Sequence, residues 1–263
     1  MNATAAARIA ALYRYPVKGF SPEALAAVDL VAGETIPFDR AFAVENGPSG
    51  FDPAEPRHLP KMLFFCLMKN AALATVTTRF DEATQRFVVA EKDGTVLFDA
   101  SLAEEAGRTA FAAFLAARFP GELRGTPKTL RALGHSFSDV AKKVLHLVNR
   151  ETLRALEEKI GSRLDPIRFR PNVVVEGLPA YAELDWPRES RVTLGGIPFE
   201  VVKRTERCAA TTVNPETGER DLQIPKFLMK TLGHTDCGVY LRDRKSTRLN
   251  SSHIPLSRMP SSA

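Results

Sequence analysis

Short extended segments, each followed closely by a turn signal, are the feature that most limits how this chain can fold. The stretches 10–17, 25–31, 40–45, 72–80, 86–90 and 95–98 favour strands, and segments rich in Gly, Pro and Asp separate them. The dipeptide Asp93-Gly94 is typical of a tight hairpin turn. The first half of the chain therefore predicts a β-rich unit built from short strands.

Helical spacing interrupts this pattern twice. Apolar residues at 111, 114 and 115 predict a helix over 101–119, with Ser101 and Glu104 placed as a capping box. A second helix is predicted over 152–160, with Gly161 as its stop. Strands are expected at 144–148, 168–175 and 238–241, and a hairpin from 191–194 and 198–203. The expected fold class is therefore α+β, mainly β.

The composition is that of a globular protein, with 44% hydrophobic and 25% charged residues. No apolar run approaches the roughly 20 residues that cross a membrane, and the N-terminus does not read as a secretory signal. The three cysteines are too few for a disulfide framework, and their spacing matches neither a zinc nor an iron–sulfur ligand set. We expect a cytoplasmic protein with no membrane span.

Residues 243–263 differ from the rest of the chain. They are rich in Ser, contain no aromatic residue, and resemble a translated sequencing adapter, so we expect a non-native tail here. The segment holds four cations and one anion, and without it the formal net charge falls from +5 to +2. This removes most of the argument for a nucleic-acid partner. It also predicts a frayed sheet edge near Tyr240 and disorder beyond Asp243.

Cys208 is the residue whose surroundings most suggest chemistry. Cations lie at positions 203, 204 and 207, and the hydroxyls of Thr211 and Thr212 follow. Nearby positive charge favours a thiolate, which serves as a nucleophile, a sulfur carrier or a soft-metal ligand. On the local sequence alone, a small buried core residue is an equal alternative.

A second group of polar residues precedes an apolar run. If 168–175 is a strand, Arg168 and Arg170 lie on one of its faces, and Asn172 points the same way. Two guanidinium groups on one face repel each other unless an anion or carboxylates lie between them. Lys18 and Arg40, taken singly, are more often solvated surface residues.

Six motifs, taken in order, resemble those of MOSC-domain proteins, relatives of the C-terminal domain of molybdenum cofactor sulfurase. The motifs are Tyr15-Pro-Val-Lys18, Asp39-Arg40, Phe137-Ser-Asp139, Arg168-Phe-Arg-Pro-Asn172, Asp185-Trp186 and Arg207-Cys208 with Thr211-Thr212. The N-terminal arrangement is similar to that of the amidoxime-reducing components. The resemblance implies a small β-barrel-like MOSC-associated domain over 9–123. It also implies a MOSC β-barrel with flanking helices over 127–242.

The resemblance also implies a molybdenum cofactor and the residues that hold it. Cys208 would be the metal ligand and the catalytic residue. The phosphate and pterin of the cofactor would contact Lys18, Arg40, Arg170, Asn172, Thr211 and Thr212. To these we add Arg168, on the predicted strand face, and Arg207, beside the thiol, as candidate cofactor contacts. The chain departs from many relatives at Gly19 and Glu206, where serine is common.

Three hypotheses for function follow. The leading one is a molybdenum-dependent oxidoreductase that removes oxygen from a small N-hydroxylated substrate. Since the sequence has no ferredoxin-like cysteine set, its electrons would come from a separate protein. The alternative is a sulfur carrier or transferase that forms a persulfide on Cys208 for metal–sulfur cofactor assembly. The third is a cofactor-binding module without turnover.

Overall fold

The computed structural model describes residues 7–194, 196–244, 247–250 and 257–258, and this part of the chain is mainly β with three α-helices. The strands are β1 Arg8–Arg14, β2 Glu23–Leu25, β3 Ala27–Leu30, β4 Phe42–Asn46, β5 Thr77–Asp81, β6 Arg86–Ala90, β7 Val96–Ser101, β8 Pro127–Arg131, β9 Leu145–Asn149, β10 Val173–Glu176, β11 Arg191–Leu194, β12 Ile197–Glu206, β13 Asp236–Asp243, β14 Thr247–Asn250 and β15 Ser257–Arg258. The helices are α1 Glu105–Arg118, α2 Arg150–Ile160 and α3 Ile224–Leu232. The expected α+β, mainly β class is confirmed.

An eight-stranded sheet carries most of the second half of the chain, in the order β15-β11-β12-β13-β9-β10-β1-β2. β9 and β10 run parallel, and the other neighbours in the sheet are antiparallel. Aliphatic side chains such as Leu147, Val175 and Val239 form a fully buried core against it. Each side chain of this kind contributes roughly 1.5–3 kcal/mol when it leaves water.

A second core lies in the first half of the chain, where α1 covers the sheet β5-β6-β7. Its centre is aromatic: the rings of Phe20 and Phe87 lie edge to face at 6.0 Å, and Phe111 lies 5.2 Å from Phe87. Such aromatic pairs stabilise the fold by more than the burial of their surface area alone. This core holds the first-half segments that reach the large sheet.

Strand pairing joins the two halves of the sequence. β1 and β2 complete the large sheet although they come from the N-terminal segment, and β8 pairs with β4. The pairing therefore crosses the expected domain limits of 9–123 and 127–242, which stay a prediction. The expected closed barrels are absent from the described residues, because the strands form separate sheets with open edges.

Several local predictions are confirmed. The hairpin of β11 and β12 forms, with Leu194 opposite Ile197. Helix α2 begins after Asn149, whose side chain accepts a hydrogen bond from the backbone N–H of Glu151. It ends at Gly161, which has a left-handed φ of 73°.

Three local predictions are wrong. The stretch 72–80 is not a continuous strand, because Ala71–Thr75 forms a 3-10 helix and β5 begins only at Thr77. Ser101 ends β7 and donates its hydroxyl to the carbonyl of Thr84, so it does not cap α1, which begins after Glu104. Residues 166–169 form a 3-10 helix because Pro166 and Asp165 begin a tight turn there. Arg168 and Arg170 therefore do not share a strand face, and β10 begins only at Val173.

The prediction of a frayed sheet edge near Tyr240 is wrong, because β13 lies inside the large sheet and Tyr240 pairs with Lys203 of β12 and His146 of β9. The prediction of disorder beyond Asp243 is wrong for residues 247–250. They form β14, which pairs with β3 in register from Thr247 opposite Leu30 to Asn250 opposite Ala27. The side chain of Leu249 is fully buried in the core of the large sheet. Residues 245–246, 251–256 and 259–263 of the expected tail lie outside the described residues.

No helix in the described ranges combines the length and the apolar character that crossing a membrane requires.

Candidate functional site

A cavity of about 240 Å³ lies where the two halves of the chain meet. Six cationic side chains line it: Lys18, Arg40, Lys61, Arg170, Lys203 and Arg207. Three anionic side chains also line it, those of Asp39, Asp139 and Glu206. The charged lining therefore carries three more positive than negative charges, which suits an anionic ligand.

Strand order explains why distant parts of the sequence meet here. The end of β1 lies beside the start of β10, with Leu12 opposite Val173, so the segments after β1 and before β10 share one end of the sheet. β9 runs parallel to β10, which brings its first residues to the same end. This places the loop beyond Tyr15, the Arg170–Asn172 segment and His146 around one cavity.

Tyr15 organises two of the arginines. Its ring is fully buried, and the guanidinium carbons of Arg40 and Arg170 lie 4.3 and 4.1 Å from its centroid. Burial lowers the pKa of Arg170 to about 10, and Arg40 contributes to this. Both arginines have a φ of 52°, a left-handed conformation that is uncommon for side chains of this size. The surrounding contacts hold two strained cations against one ring.

Polar contacts fix these arginines further. Arg40 donates to both carboxylate oxygens of Asp39 at 2.7 and 2.5 Å, and Arg170 donates to the carbonyl of Phe20 at 2.8 Å. Asn172 donates to the Tyr13 carbonyl at 3.1 Å and accepts from the backbone N–H of His146 at 3.1 Å. The amide of Asn172 therefore ties β1 to β9 as well as lining the cavity.

Asp139 bridges two lysines next to Cys208. Its carboxylate accepts from Lys18 Nζ at 2.5 Å and from Lys61 Nζ at 3.0 Å. Lys61 Nζ also lies 3.4 Å from Cys208 Sγ, and Lys18 is buried and donates to the carbonyl of Phe137. Burial raises the pKa of Asp139, but the two ammonium groups outweigh it and hold that pKa well below its ordinary value.

Lys61 stays protonated beside the thiol. Burial lowers its pKa, but the carboxylate of Asp139 and the sulfur of Cys208 outweigh burial and raise the pKa above its ordinary value. An ammonium that holds its proton so firmly is a poor acid. Lys61 therefore supplies a fixed positive charge to Cys208.

In the cavity wall, the guanidinium of Arg207 is hydrogen-bonded to the uncharged imidazole of His146. Arg207 Nη1 lies 3.2 Å from His146 Nε2, and His146 Nδ1 lies 3.3 Å from the carbonyl of Arg170. Since a guanidinium only donates, Nε2 accepts and Nδ1 carries the ring proton. Burial and the charge of Arg207 hold the pKa of His146 well below its ordinary value. The imidazole is therefore uncharged.

Gly238 makes room for this pair. Its φ is +84°, and a Cβ there would lie 2.4 Å from the carbonyl oxygen of Leu147 and 2.8 Å from His146 Nε2. Both values are shorter than any normal contact, so this position of β13 requires glycine.

Cys208 presents its sulfur at the wall of the cavity. It is a half-buried free thiol at the start of a 3-10 helix, Ala209–Thr212, which we call the Cys208 helix. Glu206, at a position where serine is common in relatives, lines the cavity but is exposed to solvent, which reduces its repulsion toward an anionic ligand. The buried-core alternative for Cys208 does not describe this position.

Three residues predicted to contact a cofactor do not line the cavity. Arg168 is buried and forms a bidentate ion pair with Asp221, in which Nη1 donates to Oδ1 at 2.8 Å and Nη2 donates to Oδ2 at 2.6 Å. Thr211 and Thr212 are buried and donate to the carbonyls of Cys208 and Ala209. Their hydrogen bonds shape the Cys208 helix from within. The strand face that was predicted to place Arg168 in the site does not form, because residues 166–169 are a 3-10 helix.

Two family comparisons agree with this geometry. Residues 132–251 match the MOSC domain, and residues 6–122 match the MOSC N-terminal beta barrel domain. The chain is a MOSC-domain protein.

Curated relatives of this MOSC protein fall into two groups. It is 32% identical over 85 residues to mitochondrial amidoxime-reducing component 1 of Mus musculus, which covers 32% of this chain and 24% of the relative. It is 31% identical over 123 residues to the molybdenum cofactor sulfurase of Caenorhabditis briggsae, which covers 44% of this chain and 16% of the relative. The matches thus span about a quarter or less of these relatives.

Among solved structures, the YUAD protein from Bacillus subtilis superposes with a TM-score of 0.43 at 16% identity, covering 93% of this MOSC protein and 91% of that chain.

Sequence reasoning missed Lys61, His146 and Tyr240 as lining residues of this MOSC protein. Lys61 follows Pro60 at the start of a short 3-10 helix, Lys61–Leu63, far from Cys208 in the sequence, and no local pattern marks it. His146 and Tyr240 lie directly opposite each other on β9 and β13. That pairing follows from strand register, which the sequence does not reveal.

Proposed function

We propose that this MOSC protein binds a molybdenum cofactor in the cavity, with Cys208 holding the metal. We further propose that it is an oxidoreductase acting on N-hydroxylated small molecules. The observation that carries the proposal is the position of Cys208: a half-buried thiol, 3.4 Å from a lysine ammonium, at the wall of a cavity with surplus positive charge. Soft thiolate suits molybdenum, and cations suit the phosphate of a pterin cofactor.

The residues present fit such a group. Arg207 has a buried Nε with no hydrogen-bond partner among the described residues, although its other nitrogens bond to Phe169 and His146. A buried guanidinium nitrogen without a partner costs free energy unless an acceptor fills the space beside it. An anionic cofactor would supply that acceptor. Arg40, Arg170 and Lys18 would add positive charge around it.

Each residue has a role in this proposal. Cys208 binds the metal, and Lys61 neutralises the charge of the thiolate. Asp139 keeps Lys18 and Lys61 in place, while the uncharged His146 holds Arg207 without adding positive charge. A bound molybdenum centre would supply two-electron redox chemistry to the substrate.

The reaction is balanced by two electrons and two protons. In an amidoxime, the N–O bond breaks, an amidine forms, and the oxygen leaves as water. We assign the electrons to a separate donor protein. Support for the substrate class comes from relatives that are named amidoxime-reducing components.

The test uses the full chain produced in a host that makes molybdenum cofactor. Bound molybdenum is measured by elemental analysis, and amidoxime reduction is assayed with a chemically reduced viologen dye as electron donor. Molybdenum together with amidine formation supports the proposal. Bound molybdenum without turnover of any N-hydroxylated substrate would refute the reductase activity and would leave the protein as a cofactor-binding module. A folded protein without molybdenum would refute it.

A sulfur-carrier role is the second candidate, supported by relatives that are named molybdenum cofactor sulfurase. The ammonium of Lys61 at 3.4 Å would stabilise a persulfide on Cys208 as well as a thiolate. Mass spectrometry after incubation with a cysteine desulfurase and cysteine distinguishes the two. An added sulfur atom on Cys208 in molybdenum-free protein supports the carrier, and no added sulfur counts against it.

A further inference from the structure

We propose that Arg220 is a positioning residue whose guanidinium sets the gap between two walls of the cavity and so the position of Cys208. One wall is the Cys208 helix. The other is the Leu67–Met68 segment, which comes from the first half of the chain and also lines the cavity. No motif in the sequence drew attention to Arg220.

The contacts of Arg220 reach both walls. Nη1 donates to the carbonyl of Ala209 and to the hydroxyl oxygen of Thr212, both at 2.8 Å. Nη2 donates to the carbonyls of Leu67 at 3.1 Å and Met68 at 2.9 Å. The guanidinium is planar and rigid, so acceptors bound to its two ends are held at a fixed separation. A lysine ammonium does not reproduce this geometry.

Arg220 is itself held on a firm base. Its neighbour Asp221 receives two hydrogen bonds from the buried Arg168 and one from Asn214 at 2.8 Å. The backbone N–H of Asn214 donates to the carbonyl of Glu219 at 2.7 Å, which closes the 214–219 turn. The Arg168–Asp221 pair thus acts on the cavity through Arg220, which gives Arg168 a role outside cofactor contact.

Other contacts between the halves do not depend on Arg220. Lys92 Nζ donates to the carbonyl of Pro215 at 2.9 Å, and Gly218 packs closely against Thr75. The aromatic core of the first half also lies elsewhere. Removing the Arg220 guanidinium should therefore loosen the cavity walls while the two halves stay together, which makes a variant informative.

The inference rests on the proposed function in one respect: fixing the position of Cys208 matters because Cys208 is the proposed metal ligand. Its test uses molybdenum-free full-length protein, so the outcome does not depend on whether the cofactor binds. Arg220→Gln is compared with wild type and with Arg163→Gln, which changes an exposed arginine outside the cavity lining.

Two measurements define the result. Amide hydrogen exchange should rise together in segments 66–70 and 208–213 of Arg220→Gln, since one guanidinium restrains both. Alkylation of Cys208 by neutral iodoacetamide should accelerate about tenfold, which corresponds to about 1.4 kcal/mol. The buried Cys237 in β13, which does not line the cavity, serves as an internal reference whose rate should not change.

Unchanged exchange, or a rise in only one segment, would overturn the inference. So would a fall in melting temperature with equal acceleration at Cys208 and Cys237, because that pattern indicates general destabilisation. If Arg220→Gln does not fold, Arg220→Lys provides the test. It keeps the charge, and amide exchange in both segments should be faster than in wild type. Wild-type exchange in Arg220→Lys would show that charge alone suffices and would overturn the inference.

Discussion

The bridge from Asp139 to the two lysines gives the sharpest test of the site's electrostatics. In Asp139→Asn the side chain keeps its shape but loses its charge, which leaves the buried Lys18 ammonium with neutral acceptors in place of its carboxylate partner. Breaking a fully buried ion pair costs about 3–5 kcal/mol, and breaking an exposed one costs about 0–1 kcal/mol. The side chain of Asp139 is 41% exposed and that of Lys18 only 6%. We therefore expect a loss of about 2 kcal/mol.

The assay is thermal and urea unfolding of the full chain at several pH values. A loss of about 2 kcal/mol lowers the melting temperature by about 4–8 °C for a chain near this size. Asp185→Asn is the matched control, because the Asp185 side chain is 85% exposed and its ion pair with Arg204 spans 3.8 Å. It should change stability by less than about 0.5 kcal/mol.

The dependence on pH has a definite sign. The pKa of Asp139 is lower in the folded than in the unfolded protein, because the two ammonium groups outweigh burial. Its contribution to stability is therefore complete above an unfolded pKa of about 3.9 and declines as the pH falls below it. The difference between wild type and Asp139→Asn should be constant from pH 5 to 8 and should shrink at about pH 3. Equal stability at pH 7, or a difference that grows on acidification, would refute the reasoning.

Three further predictions concern the cavity wall. Gly238→Ala should cost about 3 kcal/mol or more in unfolding experiments, because its Cβ would meet a backbone carbonyl oxygen at 2.4 Å and its φ is positive; a variant as stable as wild type would contradict this. Lys61→Met should slow alkylation of Cys208 by anionic iodoacetate more than by neutral iodoacetamide, by about tenfold, while Lys61→Arg retains the wild-type ratio; an unchanged ratio in Lys61→Met counts against the fixed charge. In NMR titration the midpoint of His146 should lie well below that of a free imidazole, because burial and the charge of Arg207 depress its pKa on folding. Its effect is therefore to lower stability as the pH falls below about 6.5. A midpoint near 6.5 for His146 would be inconsistent with its burial.

Local patterns predicted much of the secondary structure. The hairpin of β11 and β12 and helix α2 with its Gly161 stop depend on neighbouring residues, which the sequence displays directly. The 166–169 segment could not be predicted correctly, because the alternation of Arg168 and Arg170 is typical of a strand, whereas the Asp165-Pro166 turn decides the conformation. The order of residues 247–250 could not be predicted from their composition, because the burial of Leu249 depends on pairing with β3.

The site was predictable to the extent that its residues belong to ordered motifs. Lys18, Arg40, Arg170 and Cys208 all line the cavity, as do Asn172 and Arg207. Lys61 and Arg220 could not be inferred, because Lys61 reaches Cys208 from a distant part of the chain and Arg220 joins the Cys208 helix to the distant Leu67–Met68 segment. Contacts of this kind arise from sheet order and loop packing, which a single sequence does not specify.

The molybdenum content of Cys208→Ala tests the central claim most directly. Wild type, Cys208→Ala and Cys66→Ala are produced in the same cofactor-competent host, and bound molybdenum per folded chain is measured by elemental analysis. Cys66 lines the same cavity but is buried, so it controls for loss of a thiol. We predict that Cys208→Ala retains about a tenth or less of the wild-type molybdenum and that Cys66→Ala retains most of it. Equal molybdenum in wild type and Cys208→Ala would contradict the assignment of Cys208 as the metal ligand.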